Sequence, residues 1–257
     1  MQRSAGILLP ITSLPSKYGV GCFSQSAYDF VDWLHDAGQT YWQILPICPT
    51  SYGDSPYQSF STFAGNPYFI SLEALIEEGV LTQEECDAAD FGSDPADVDY
   101  AKLYENRYPL LRKAYERSDI SKNADYQAFV AENHWWLQDY ALFMALKNFF
   151  RGQCWNDWPE DIRLRWDFAL DYYRRVLYFD IELGQFTRNY TQTVKRAADN
   201  KRRYAPGWVH STCLLRGFPK GAAPHLAHDF AEQSVVCYTL CRRCPENTVA
   251  AGEGKGI

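Results

Sequence analysis

Only two stretches of this 257-residue chain read as buried strands, and both fall within the first 47 residues. Gly6 to Ile11 (GILLPI) is a short apolar run closed by Thr12, Ser13 and Pro15, and Tyr41 to Ile47 (YWQILPI) is the second. Apolar runs without alternation fit strands covered on both faces, as in a parallel sheet. Between them Ala27, Phe30, Val31 and Leu34 recur at helical spacing. Ser24 or Ser26 can cap that helix, which is expected to run through Asp36 and to end at Gly38. Strand, helix and strand in succession make a parallel βαβ opening.

The second run leads straight into Pro49 to Ile70, PTSYGDSPYQSFSTFAGNPYFI. Gly and Pro break any regular element here, so the segment reads as an ordered loop of tight turns. Aromatic rings beside short hydroxyl and amide side chains suit a sugar, whose C–H face stacks on a ring while its hydroxyls bond to small polar groups. The same residues also suit a loop whose aromatics cap a core and whose polar groups only make turns. Its place at the carboxyl end of a strand, where α/β folds carry their functional loops, favours binding.

Beyond Ile70 the strand rhythm stops. Ser71 to Glu78 reads as a short helix ended by Gly79, and Thr82 caps a second with acids in its first turn. Tyr100 to Arg117, Ala124 to Phe150, and a segment from Pro159 to about Leu183 complete a helical insertion. The tryptophans at 135, 136, 155, 158 and 166 stand at helical spacing and are expected in the core; exposed, they would form a sugar platform. His134 is expected on a helix surface or in the core. Asp161 serves as a first-turn charge, and no two carboxylates stand out as an acid/base couple.

A composition of 46% hydrophobic and 16% aromatic residues supplies a sizeable core, in one large domain or two small ones. The net charge of −7 and the lack of a basic stripe over the first 190 residues argue against nucleic acid. No window approaches ~18 consecutive apolar residues, so no membrane partner is expected. Without a secretory pattern at the N-terminus, eight cysteines read as free thiols in a cytoplasmic protein. The charge balance then breaks. From Lys195 onward ten Lys/Arg face five Asp/Glu, whereas the first 194 residues hold 15 against 27. Cys213, Cys237, Cys241 and Cys244 fall in this tail, and with His225 or His228 they offer zinc ligands, though their spacing is not that of paired C-x2-C motifs.

The runs GILLPITSLPSKYGVG, YWQILPICPTSYGDSPYQSFSTFAGNPYFISL, VDYAKLY, WWLQDYALFMALK and W-NDWP, in this order, carry a resemblance. Over residues 6 to about 185 the chain resembles the N-terminal part of the amylomaltases, bacterial 4-α-glucanotransferases of glycoside hydrolase family 77. The resemblance implies an α/β fold built on a (β/α)8 barrel, present here as an incomplete barrel: the first two βα units with a large helical insertion. It implies α-1,4-glucans and malto-oligosaccharides as partners, no cofactor and no resident metal. The reaction it implies is transfer of a glucan segment through a covalent glycosyl-enzyme intermediate, the two-carboxylate retaining scheme with a sugar in place of water. Position by position, Tyr57 matches the tyrosine that stacks beside the scissile bond, Asp54 and Ser55 match the loop shaping that end of the cleft, and Tyr52 and Tyr104 match two tyrosines of a secondary glucan groove.

Later family motifs do not occur: GD-x-P, R-x-D-H-F-R-G with the nucleophilic Asp, A-E-D-L-G with the acid/base Glu, and T-H-D-N. No catalytic residue is therefore assigned, and these residues are expected to bind glucan without turning it over. The expected division is 1–70, the start of the barrel with its aromatic loop; 71–186, the helical insertion; and 187–257, a basic Cys/His-rich tail unrelated to the family, poorly ordered, of the kind a frameshift leaves or, alternatively, a zinc-binding module.

Overall fold

The computed structural model describes residues 5–50, 53–61, 63–94, 96–196 and 213–216. β1 (Gly6–Leu8) and β2 (Tyr41–Ile44) pair in parallel, with Gly6 opposite Tyr41 and Leu8 opposite Gln43, and α1 (Gln25–Asp36) joins them. Both strands are shorter than the apolar runs that encode them. Pro10 and Pro46 lack the N–H that a ladder needs, and after Pro10 the chain turns into a 3-10 segment, Ile11–Ser13. β2 is buried through Trp42 and Ile44, whereas Leu8 of β1 is 55% exposed, so only the second run is the buried strand the pattern implies. The Trp42 indole donates to the Leu9 carbonyl at 2.8 Å, and Phe30 of α1 meets its ring edge-on at 4.9 Å.

β3 (Cys213–Arg216) lies on the other edge of β2 and runs antiparallel to it, Tyr41 opposite Arg216 and Ile44 opposite Cys213. The described sheet is thus mixed rather than all-parallel. The pairing occupies N–H and C=O groups that β2 would otherwise display along an open edge.

The helical region forms where the sequence signals are strongest. α2 (Leu72–Glu77) is capped by Ser71, whose hydroxyl accepts from the Ala74 N–H, and α3 (Gln83–Asp87) opens on a full capping box between Thr82 and Glu85. α4 (Tyr100–Arg117) is capped by Asp99 and has the bounds its periodicity predicts. The long helix expected over 124–150 is two helices, α5 (Ala124–Glu132) and α6 (His134–Phe149). They break at Asn133, whose side-chain amide donates to the Phe129 carbonyl while its oxygen accepts from the Trp136 indole, so local side-chain bonds compete with the helix there.

The next expected helix is likewise three: α7 (Glu160–Arg163), α8 (Asp167–Val176) and α9 (Tyr178–Arg196). Arg165 adopts a left-handed φ of 60° and ends α7, a conformation no helix interior accepts. The expected boundary between 186 and 187 falls inside α9, which packs along α6 with Gly184 against Ala141. Two main cores result, one around Ile11, Val31, Trp42 and Phe69, the other around Leu72, Leu75, Leu103, Leu111 and Phe186. Of the cysteines, Cys22, Cys86 and Cys154 are free thiols and Cys213 lies in β3. Cys237, Cys241, Cys244, His225 and His228 lie outside the described residues.

Candidate functional site

The loop that follows β2 is closed twice. Thr50 and Ser59 form an antiparallel bridge, so residues 51–58 make one small excursion. Lower down, the Asn66 N–H donates to the Ile47 carbonyl at 2.9 Å and shuts the whole loop at its base. Inside the excursion Gly53 and Asp54 both take positive φ, 86° and 54°. Asp is among the few residues with a side chain that accept this region, and here it turns the chain in a tight corner. Ser55 then holds the turn with both of its oxygens: its carbonyl accepts from the Gln58 N–H at 3.0 Å and its hydroxyl from the Tyr57 N–H at 3.3 Å. The turn lifts the Tyr57 ring into solvent, 55% exposed.

The second half of the loop is fastened to the helices. Phe60 lies flat over Tyr140 of α6, ring planes 6° apart at 6.4 Å, and Phe63 sits between Trp135 and Trp136 at 4.8 and 5.7 Å. Arg188 of α9 donates to the Gly65 carbonyl and, at 2.6 Å, to the Tyr140 hydroxyl, with its guanidinium 4.9 Å from the centre of that ring. Gly65 has to be a glycine: a Cβ there would stand 2.7 Å from the Thr191 side chain. Past it, Asn66 caps a 3-10 turn, Pro67–Phe69, by accepting from the Tyr68 N–H at 3.0 Å. The two readings of this loop divide between its rings. Tyr68 and Phe69 are core, while Tyr57 and Phe60 face outward.

Tyr68 meets a row on α4. Tyr100, Tyr104 and Tyr108 recur every four residues, and Tyr68 packs against the first and third at 6.1 and 6.2 Å; Tyr104 stands 5.2 Å from Tyr108 and is 60% exposed. Burial pushes the Tyr68 phenol up, with Tyr108, the Asp54 carboxylate and Tyr104 adding to it. Burial likewise lifts Tyr100, with Asp54 second, and burial raises the Asp54 carboxyl itself. Asp54 and Tyr104, named from the sequence, thus both act electrostatically on Tyr68. Ser55 and Tyr57 occupy the adjoining turn, and Tyr52 lies outside the described residues. Tyr100, Tyr108 and Arg188 were not singled out in the sequence, although the four-residue spacing of the α4 tyrosines could have shown two of them.

Arg107 fixes the row in place. Fully buried, it donates to the Ile70 carbonyl at the end of the loop and to the Tyr18 carbonyl at 3.4 Å. The arrangement offers ring faces, phenol hydroxyls and one carboxylate to a polyhydroxylated ligand. Among the described residues no three His, Cys, Asp or Glu side chains gather as a metal site, and no helix is long and apolar enough to cross a membrane. The indole rings divide: Trp136 and Trp158 are core, whereas Trp135, Trp155 and Trp166 are between 46% and 63% exposed.

Residues 9–204 match the family model of the 4-alpha-glucanotransferases, glycoside hydrolase family 77, so the likeness continues past the charge break near Lys195. The chain is 50% identical over 178 residues to the 4-alpha-glucanotransferase of Streptococcus pneumoniae, covering 68% of this chain and 35% of that protein. With the 4-alpha-glucanotransferase of Thermus thermophilus the identity is 44% over 192 residues, 73% of this chain and 37% of the relative. The chain therefore spans little more than a third of the length of these curated relatives. Its fold is similar to that of the amylomaltase from Streptococcus agalactiae, solved in complex with acarbose: TM-score 0.69 and 40% identity, over 74% of this chain and 39% of that one.

Proposed function

Since the chain belongs to the 4-alpha-glucanotransferase family, glycoside hydrolase family 77, we propose that its described residues form a glucan-binding part of such an enzyme, taking α-1,4-glucans and malto-oligosaccharides on the loop after β2. One observation carries the reading. Tyr57 is held out on a turn secured by Ser55, and Asp54 of the same turn acts on Tyr68 and on Tyr100, the first ring of the tyrosine row on a rigid helix. In this proposal the Tyr57 ring stacks on one glucose unit, Asp54 and Ser55 shape the end of that subsite, and Tyr104 with Tyr52 grips the chain farther along. An exposed ring whose own turn is pinned loses little freedom when a sugar stacks on it.

The proposal extends to architecture and chemistry. β1, α1 and β2 are the first βα units of a (β/α)8 barrel, a reading supported by their parallel pairing and by the likeness to the amylomaltase structure. The family's transfer requires a nucleophilic carboxylate and an acid/base carboxylate. The motifs that carry them do not occur in these 257 residues, so the polypeptide binds glucan and does not turn it over. Calorimetric titration with maltoheptaose, together with a maltotriose disproportionation assay, tests both halves. Saturable binding that weakens about tenfold in Tyr57→Ala or Tyr104→Ala is expected, with no disproportionation. Absence of binding overturns the first half, and turnover overturns the second.

A further inference from the structure

Helix α6 borders both the aromatic loop and a separate cavity. Trp136 and Tyr140, four residues apart, meet the aromatic loop. Asp139 and Phe143, also four apart, line a cavity of about 260 Å³ between α6, the 3-10 turn Trp155–Asp157 and α7. The cavity floor is Trp158, buried and fixed by its indole N–H on the Gln153 carbonyl at 3.2 Å, a carbonyl that also accepts from Lys147 Nζ at 3.0 Å. One wall is Trp155, which is 51% exposed and whose indole N–H has no hydrogen-bond partner among the described residues. At the rim, Nη2 of Arg165 donates to both oxygens of Asp139 at 2.9 Å, which leaves its Nε and Nη1 hydrogens and the remaining carboxylate lone pairs available. Arg165 takes a left-handed φ of 60° just after α7, and its side chain reaches Asp139 of α6.

We propose that this cavity is a second sugar site, holding one glucose unit of an α-1,4-glucan with its C–H face on Trp155 and its hydroxyls on the Asp139–Arg165 pair. The proposal rests on the glucan reading above and adds a site to it. An indole wall, an apolar floor and a carboxylate–guanidinium pair at the rim match a pyranose, which is apolar on its faces and ringed with hydroxyls at its edge. The volume falls just below the ~300–1,000 Å³ of sites for drug-sized ligands, which suits one ring rather than an oligosaccharide. Because the cavity lining shares no residue with the aromatic loop, one long glucan engaging both gains affinity that a short one cannot.

The test uses the full 257-residue chain labelled with 5-fluorotryptophan, which gives eight ¹⁹F resonances, that of Trp155 being assigned by its loss in Trp155→Phe. Maltoheptaose is expected to shift the Trp155 resonance saturably in the native sequence and equally in Tyr104→Ala. Asp139→Asn is expected to weaken that shift about tenfold. If maltoheptaose binds by calorimetry while the Trp155 resonance stays still, the cavity proposal is overturned and the glucan reading stands. If neither heat nor shift appears, both fall. A shift produced equally by cellohexaose overturns the assignment to α-linked glucan.

Discussion

In the first 47 residues the backbone is fixed by a strand pair three residues long and by one indole donating to the Leu9 carbonyl beside it; in residues 72–196 the first four helices are opened by a capping side chain and pack on a core of aliphatic and aromatic residues. The two regions meet at residues 65–70, where carbonyls of the loop receive guanidinium groups from the helices: Arg188 on Gly65 and Arg107 on Ile70. Each arginine is almost fully buried, and in each the Nε has no partner among the described residues. Apolar packing also joins the regions, since Tyr18 and Val20 share a core with Leu72, Leu103 and Phe186, and the buried arginines add directed bonds to it. A buried guanidinium is costly to desolvate, but it fixes geometry tightly because only a few carbonyl positions satisfy it.

The contrast can be broken most directly at Arg107. Arg107→Ala removes two charge-assisted bonds from a dry site and should cost about 3–5 kcal/mol in urea unfolding. A loss below about 1 kcal/mol would show that the seam contributes little. Gly65→Ala attacks the same seam from the loop side, forcing a Cβ into Thr191; about 1–3 kcal/mol is expected from overpacking, with glucan affinity falling alongside because the loop carrying Tyr57 is displaced.

A smaller effect sharpens the description of the helical region. Arg117 holds the Glu85 carboxyl down to about 2, well below its ordinary 4.5, through bonds of 2.7 and 2.8 Å. A carboxyl with a lowered folded-state pKa contributes stability that is complete above about 4.5 and disappears as pH falls toward about 2. Urea midpoints of the native chain and Glu85→Gln should therefore differ at pH 7 and converge across that acid window. A constant gap would mean that the pair acts through packing instead. Smallest of all, Tyr57→Ala should leave stability within about 0.5 kcal/mol, as for an exposed residue outside any core, while weakening maltoheptaose binding. A marked drop in melting temperature would place the ring in the structural half of the loop.

How far the chain could be read from its letters follows the same division. Thr82 with Glu85, Ser71 with Gly79, and the periodicity of 100–117 marked helices whose bounds the structure keeps, because capping and spacing act within a few residues. The break at Asn133 rests on one local side chain competing with the helix inside an otherwise helical pattern, and the one at Arg165 accompanies a bond to Asp139, 26 residues away, so neither stood out in the sequence. At the site, Tyr57 is exposed and Asp54 and Tyr104 both act on Tyr68, while the glucan roles the resemblance implies for them stand as a proposal. Arg188 was illegible: its partner Gly65 lies 123 residues away, and no local pattern links a helix arginine to a distant carbonyl. The antiparallel pairing of β3 was equally beyond reach, for nothing local in Cys213–Arg216 states which strand it joins or in which direction.

That separation of Gly65 from Arg188 also sets an order of events on the ribosome. At about 5–20 residues per second, the arginine is synthesised some 6–25 seconds after the glycine it will hold. During that interval the aromatic segment has no guanidinium on its carbonyl, and Tyr140 has no cation above its ring. The segment is translated early and acquires its shape late, when α9 docks along α6.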